Sequence, residues 1–311
     1  MLSSPALTRP GPLPMLAGQT ASGKSSIALE LAEAHGLEIV TADAMQVYRG
    51  MDIGTAKPSA VEQRRVKHHL IDLVTPAESF SVAAYVEHAH STIAAILERG
   101  SVPLVAGGTG FYLRALRQGL PTVPAADPEV QAPLWDEVER GRLSHLMAEL
   151  AAVAPTDALR AGANPRRVVR SLEVLKRTGK PPSAFPYTAP RYSFSMLVLA
   201  PPPATLAERI AARTQTMFEA GLVAEVARLL EEYPVQATAF QAIGYKEVVD
   251  HVRGSCTLAE AIDRVTTATL RYAKRQRTWF KAEQGTTIVA AAGTKALPEV
   301  EEWLSALLGG R

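Results

Sequence analysis

The chain has 311 residues, 47% of them hydrophobic, and a net charge of +2. That length and apolar content support one large core with room for an inserted subdomain, and they exclude a long disordered or low-complexity protein. No apolar run reaches the ~20 residues of a membrane span, so no membrane partner is expected. A single cysteine, Cys256, excludes an internal disulfide and a cysteine-based zinc module, and points to the reducing cytoplasm. Residues 1–14 are Pro-rich and lack a charged segment followed by an apolar one, so a short tail is expected there rather than a secretion signal.

The first element is a buried strand, Leu13–Ala17, which runs into Gly18-Gln19-Thr20-Ala21-Ser22-Gly23-Lys24-Ser25. This stretch fits G-x-x-x-x-G-K-[ST], the loop that wraps a di- or triphosphate. A helical pattern begins at Ser25, so the loop has the strand–loop–helix context the motif requires. Its glycines let the backbone approach phosphate oxygens. Its amides and the helix N-terminus face negative charge. Lys24 adds a full positive charge, and the Ser25 hydroxyl is a candidate ligand for magnesium (Mg2+). The loop by itself does not say which phosphate compound it holds, ATP included.

Further strands are expected at Leu37–Thr41, Pro103–Ala106, Phe194–Ala200 and Thr286–Ala290, separated mostly by helix-period segments such as Val82–Arg99. Strands alternating with helices argue for a parallel sheet covered on both faces. Residues 121–191 break the rhythm. They show helical patterns at Pro128–Arg140, Arg142–Ala152 and Arg166–Arg177 and no convincing strand. The expected division is a core over 1–120 and 192–311, with a helical subdomain inserted over 121–191. Helices are then expected at Ala204–Tyr233, Tyr245–Val252 and Leu258–Lys281.

Ligands of open parallel sheets bind outside the carboxyl ends of the strands. Three loops leave that edge: the phosphate loop, Ala42–Tyr48 and Gly107–Gly110. Asp43 therefore faces the phosphate site, as a metal ligand, a proton acceptor or simply a turn aspartate. Thr109 follows a glycine pair that lets backbone pass close to a ligand. Arg209 and Arg213, one turn apart, either reach the phosphates or lie on the surface. His68 and His69 are adjacent on a probable strand, point to opposite faces and read as structural. Tyr272, Gln276 and Trp279 share a helical stripe that reads as core.

Charge is unevenly placed. Arg160–Arg191 holds eight Lys/Arg and one acid, Glu173, while Arg264–Lys281 holds six Lys/Arg and no acid, which leaves the rest of the chain acidic. Two basic segments on an acidic body suggest a polyanionic partner, against the alternative of two solvated helix faces.

In these residues the chain resembles the tRNA dimethylallyltransferases (tRNA isopentenyltransferases) of bacterial type. The resemblance runs from Gly18 to Phe280 and rests on Gly18–Ser25, Asp43–Tyr48, Gly50–Pro58, His68–Asp72, Gly107–Thr109, Arg170–Val174, Gly244–Lys246, Ala273–Gln276 and Trp279. Met51–Pro58 is especially distinctive, since no small-molecule kinase calls for it.

The resemblance implies an α/β fold, a P-loop kinase-like parallel sheet covered by helices with a helical insertion. It implies transfer of a dimethylallyl group from dimethylallyl diphosphate to the exocyclic amine of the adenine 3′ to the anticodon, in tRNAs reading codons that begin with U. The loop Gly18–Ser25 would then hold a diphosphate leaving group. Asp43, Thr109 and Arg213 are the implied catalytic residues. Asp43, Ala44, Met45, Gln46, Thr109, Gln131, Arg166, Arg167, Val168, Val169, Arg170, Gln241, Ala242, Ile243, Gly244, Tyr245 and Lys246 are the implied tRNA contacts on the anticodon stem-loop. A monomer is expected, without the C-terminal zinc finger of eukaryotic relatives. Gln19 stands where the family usually has proline, Ala44 where serine is usual and Arg166 where glutamine is frequent. The rival readings are a P-loop small-molecule kinase, an adenylate isopentenyltransferase acting on free AMP, and an RNA-binding protein with a degenerate nucleotide-hydrolysing core.

Overall fold

The structure, a computed structural model, describes residues 11–235 and 237–309. The expected tail therefore lies mostly outside the described residues. Two compact units are present, one running to Arg117 and resuming at Arg191, the other spanning Gln118–Pro190.

The first unit contains a six-stranded, all-parallel sheet in the order β3-β2-β4-β1-β5-β6. Its strands are β1 (Leu13–Gly18), β2 (Leu37–Ala42), β3 (His68–His69), β4 (Val102–Gly107), β5 (Phe194–Leu199) and β6 (Thr286–Val289). The four central strands are apolar along nearly their whole length because helices cover both faces of the sheet. One face packs on α1 (Lys24–His35) and α13 (Leu297–Gly309); the other packs on α3 (Val82–Glu98) and α4 (Gly110–Gln118). Helix α3 buries Tyr85, Ala89, Ile93 and Ile96, the stripe its 3.6-residue period predicts. Its first turn is closed by the Ser81 side chain, which accepts from the Ala84 N–H at 3.1 Å.

A separate core joins the loop after β2 to α10 (Leu222–Glu232) and α11 (Tyr245–Val252). The one long helix expected over Ala204–Tyr233 is two, α9 (Pro203–Glu219) and α10, because Gly221 takes φ +99° and ends the run. Helix α12 (Leu258–Lys281) starts at a Thr257–Glu260 capping box and shows its inner face through Ala261, Val265, Ala273, Gln276 and Phe280. A short helix, α2 (Ala60–Arg65), precedes β3. Among the described residues no helix is long and apolar enough to cross a membrane.

The second unit is helical: α5 (Pro128–Glu139), α6 (Leu143–Val153), α7 (Pro155–Ala161) and α8 (Pro165–Thr178). Helix α7 is one the sequence pattern misses, since its seven residues hold too few turns to show a period. The core of this unit comprises Leu134, Leu146, Leu150, Ala154, Ala161, Val168, Val169 and Leu172.

Candidate active site

Strand β1 delivers Gly18 to the sheet edge, where a Cβ would lie 2.9 Å from both the Leu199 carbonyl oxygen and Ser22 Oγ, so only glycine fits. Ala21 then takes φ +59° and Gly23 φ +90°, a curl that turns the loop amides inward. No side chain caps α1 at Gly23, which leaves its first N–H groups for an anion.

The strain at Ala21 is held by contacts from three elements. Arg209 Nε on α9 donates to the Ala21 carbonyl at 2.7 Å, and Arg213 Nη1 to Thr20 Oγ1 at 3.3 Å. The Gly293 N–H donates to the Ser22 carbonyl at 2.9 Å. From α12, Gln276 and the backbone of Ala273 hold Thr20 and Gln19. Both arginines thus face the loop rather than lying on an unrelated surface.

Strand β2 ends at Ala42 and presents Asp43. Its Oδ1 accepts from the Met45 N–H at 2.9 Å and from the Gln46 N–H at 3.4 Å, so the aspartate does close a turn and is pinned by it. The third loop joins from β4. Gly107 has no room for a Cβ, which would sit 2.1 Å from the Ala42 carbonyl oxygen. Thr109 Oγ1 accepts from the Ala44 N–H at 3.0 Å, and the Thr109 N–H donates to the Ala42 carbonyl at 3.2 Å. The Asp43 and Thr109 turns are therefore one hydrogen-bonded unit.

The electrostatics tie these loops together. Burial holds the Lys24 ammonium below its ordinary pKa, opposed by the Asp43 charge and reinforced by Arg213. Burial likewise lowers Arg213, with Asp43 opposing. Tyr85 and Tyr112 are buried and stacked, with ring centroids 4.0 Å apart, and burial together with the Asp43 charge raises both phenols. Tyr272 is pushed up to about 12, mainly by burial and then by Asp43. Asp43 is thus set between two cations and three tyrosines. A cleft lined by Lys24, Ser25, Thr41, Asp43, Gln46, Pro58 and His68 opens beside it.

The distinctive Gly50–Pro58 block is scaffolding for this edge. Glu225 on α10 accepts from the N–H groups of Asp52, Ile53 and Gly54 at 3.0, 2.8 and 3.2 Å, and from Tyr245 Oη at 2.5 Å. Lys57 Nζ, almost fully buried, reaches Asp52 and Asp72 at 2.6 Å and the Tyr48 carbonyl at 2.8 Å. The block then offers the carbonyls of Thr55 and Ala56 to Gln46 Nε2 at 3.1 and 3.2 Å, which fixes the Gln46 amide at the cleft.

The expected RNA contacts sort into several kinds of position. Arg166 and Arg167 are exposed on the first turn of α8. Val168 and Val169 are both 0% exposed in the helical core, because a helix turns them inward after two outward arginines. Arg170 is committed to Glu173 at 2.7 Å and to the Pro124 carbonyl. Gln131 Nε2 donates to the same carboxylate at 2.6 Å. Tyr245 is fully buried and bonded to Glu225, and Ala242 is buried as well. Met45 and Ile243 are half-buried, Gly244 opens α11 with φ +97°, and Gln241 and Lys246 are exposed. Glu173 and Arg177 also pair within this unit, so part of the basic character of α8 is spent internally. On α12, by contrast, Arg271, Lys274, Arg275 and Lys281 are exposed.

His69 Nε2 meets Glu38 at 2.7 Å and His68 Nδ1 lies 2.9 Å from the Val66 carbonyl, both structural contacts. Among the described residues no group of three or more His, Cys, Asp or Glu side chains could hold a metal ion. A metal at the cleft would have few protein ligands, the hard oxygen of the Ser25 hydroxyl first among them, which is how magnesium binds beside phosphates.

A parallel sheet with an intact phosphate loop, a pinned carboxylate opposite it and arginines on the loop defines a P-loop protein of the kinase-like class. The model of the IPP transferase family matches residues 46–283. The tRNA dimethylallyltransferase of Thermus thermophilus is 50% identical over 94% of this chain and 97% of its own length. The solved structure of a tRNA isopentenylpyrophosphate transferase from Bacillus halodurans is 36% identical, with a TM-score of 0.71 over 96% of this chain and 97% of that one. A eukaryotic dimethylallyltransferase acting on tRNA is 26% identical, with a TM-score of 0.80 over 96% of this chain and 79% of that one. The chain belongs to the IPP transferase family, the tRNA dimethylallyltransferases.

Proposed function

We propose that this protein transfers the dimethylallyl group from dimethylallyl diphosphate to the exocyclic amine of the adenine next to the anticodon, releasing diphosphate. The observation that carries the reading is the pinned Asp43 carboxylate on the sheet edge facing Lys24 and Arg213, in a member of a tRNA prenyltransferase family. The new bond joins the amine nitrogen to the allylic carbon. The bond that breaks is the one between that carbon and the diphosphate oxygen, whose electron pair leaves with the diphosphate. The amine proton goes to Asp43. Such an amine is a weak nucleophile, so a fixed acceptor that orients it and takes its proton contributes directly to rate.

The loop amides, Lys24 and Arg213 stabilise the charge that grows on the leaving diphosphate. The Ser25 hydroxyl is the oxygen donor that would hold magnesium, which adds further charge neutralisation when bound. Thr109 fixes the Asp43 turn through the Ala44 N–H. The adenine must leave its stack to reach this edge. Exposed cations at Arg166 and Arg167, at Lys246 and along α12 suit phosphate contacts on the anticodon stem-loop.

The test is incubation with labelled dimethylallyl diphosphate, magnesium and either bulk tRNA or AMP. Label in tRNA alone supports the reading. Label in AMP would make the protein an adenylate prenyltransferase, and phosphoryl transfer from ATP would make it a kinase.

A further inference from the structure

One buried amide joins the two loops that must bring donor and acceptor together. Gln276 lies on α12 and is 6% exposed. Its Oε1 accepts from the Thr20 N–H in the phosphate loop at 2.8 Å, 256 residues away. Its Nε2 donates to the Gly108 carbonyl, beside Thr109, also at 2.8 Å. The amide orientation follows from its partners, since an N–H can meet only the oxygen and a carbonyl only the NH2.

The junction has no slack. A Cβ on Gly108 would sit 2.8 Å from Gln276 Nε2 and 3.1 Å from the Gly18 carbonyl oxygen. The same helix supports the phosphate-loop side of it a second time. Gln19 Nε2 donates to the Ala273 carbonyl at 2.9 Å. Thr109 in turn holds the Asp43 turn. A continuous set of bonds therefore runs from the diphosphate loop through one side chain to the carboxylate.

We propose that Gln276 is a positioning residue that sets the register of the phosphate loop against the Asp43–Thr109 turn, so that the amine and the allylic carbon meet in line. It touches neither reactant in this role; it acts through Thr20 and Gly108. The proposal rests on the transferase reading, but part of its test does not.

Gln276→Met removes both bonds. Gln276→Glu keeps the acceptor for Thr20, and can donate to Gly108 only when its carboxyl is protonated. Magnesium with inorganic pyrophosphate is the binding probe, followed by calorimetry. Turnover and KM for dimethylallyl diphosphate are measured with saturating tRNA, and tRNA affinity separately. Gln276→Met is expected to bind pyrophosphate more weakly and to lose roughly 100-fold in kcat, the scale set by a misplacement of about 1 Å, with tRNA affinity unchanged. The activity of Gln276→Glu relative to the unsubstituted enzyme is expected to rise as pH falls from about 8 to about 5.5, as protonation restores the second bond. A purely structural glutamine would give no such pH-dependent ratio, and a flat ratio overturns the proposal even where Gln276→Met fails to fold. Wild-type kcat and pyrophosphate affinity in Gln276→Met overturn it too. An unsubstituted protein that binds pyrophosphate yet prenylates no RNA defeats the transferase reading alone, and weaker pyrophosphate binding by Gln276→Met would still support the role of Gln276.

Discussion

Asp43 carries two jobs through two oxygens. Oδ1 is occupied by the backbone N–H groups of Met45 and Gln46, which locks the carboxylate plane. Asp43→Asn keeps the turn, because an amide oxygen accepts the same bonds, but it loses the basic oxygen that takes a proton. The expected outcome is a kcat lower by about 10³-fold with unchanged tRNA affinity, read by single-turnover kinetics beside filter binding. Lys24 shows a related economy. Burial depresses its pKa, so the free enzyme loses this charge at a lower pH than an ordinary lysine would. KM for dimethylallyl diphosphate is therefore expected to climb on the alkaline side before the usual lysine range, and a KM that stays flat there would remove Lys24 from diphosphate binding. Tyr85 is different again. Among the described residues its buried hydroxyl has no hydrogen-bond partner, while its ring stacks on Tyr112. Tyr85→Phe keeps the ring and removes the desolvated oxygen, so an unchanged or raised melting temperature is expected, worth up to about 1 kcal/mol.

Among the elements, α8 is organised around one buried acid. Glu173 receives the Asp127 N–H at 2.7 Å, Gln131 at 2.6 Å, Arg170 at 2.7 Å and Arg177 at 3.1 Å. Burial alone would raise its pKa, but the bonds from Arg170, Gln131 and Asp127 outweigh burial and lower it. A carboxyl held low in the folded state contributes stability above its unfolded value, and that stability is lost as pH falls through the folded value. Protection of α8 amides from hydrogen exchange in the full chain is therefore expected to be flat near neutrality and to fall below about pH 4. Glu173→Gln should lower that protection by about 3 kcal/mol at neutral pH, because two arginines lose their common partner. Equal protection in both proteins would show the cluster to be energetically idle.

At the scale of the whole molecule the question is which cations meet RNA. The exposed Arg166 and Arg167 differ from Arg170 and Arg177, which are paired internally. Reversing Arg166 and Arg167 together to Glu is expected to weaken tRNA binding across all sequences and to flatten the dependence of log Kd on log salt by about 2, one for each phosphate no longer neutralised. An unchanged slope would take these arginines off the RNA.

Local chemistry was legible in the sequence because it depends on neighbours. The strand, the glycines, Lys24 and the helix after them are consecutive, and the loop they build follows from backbone sterics and apolar period. The ends of β2 and β4, with Asp43 and Thr109, follow from the rule that parallel strands present their carboxyl ends to ligands. Even so, the stretch Arg166–Arg170 reads as one contact surface, while the helix turns Val168 and Val169 into the core. The Met51–Pro58 block is recognisable as a string of residues, but its purpose is not, since Glu225 and Tyr245 hold it from more than 170 residues away. Gln276 reads as part of a core stripe, and only the folded chain shows it joining two loops. Sequence alone determined the phosphate loop, the sheet that carries it and the family. The tertiary structure decided which arginines are exposed, how Gln46 and Asp43 are oriented and what fixes the two loops together, because hydrogen bonds between distant segments have no signature in local pattern.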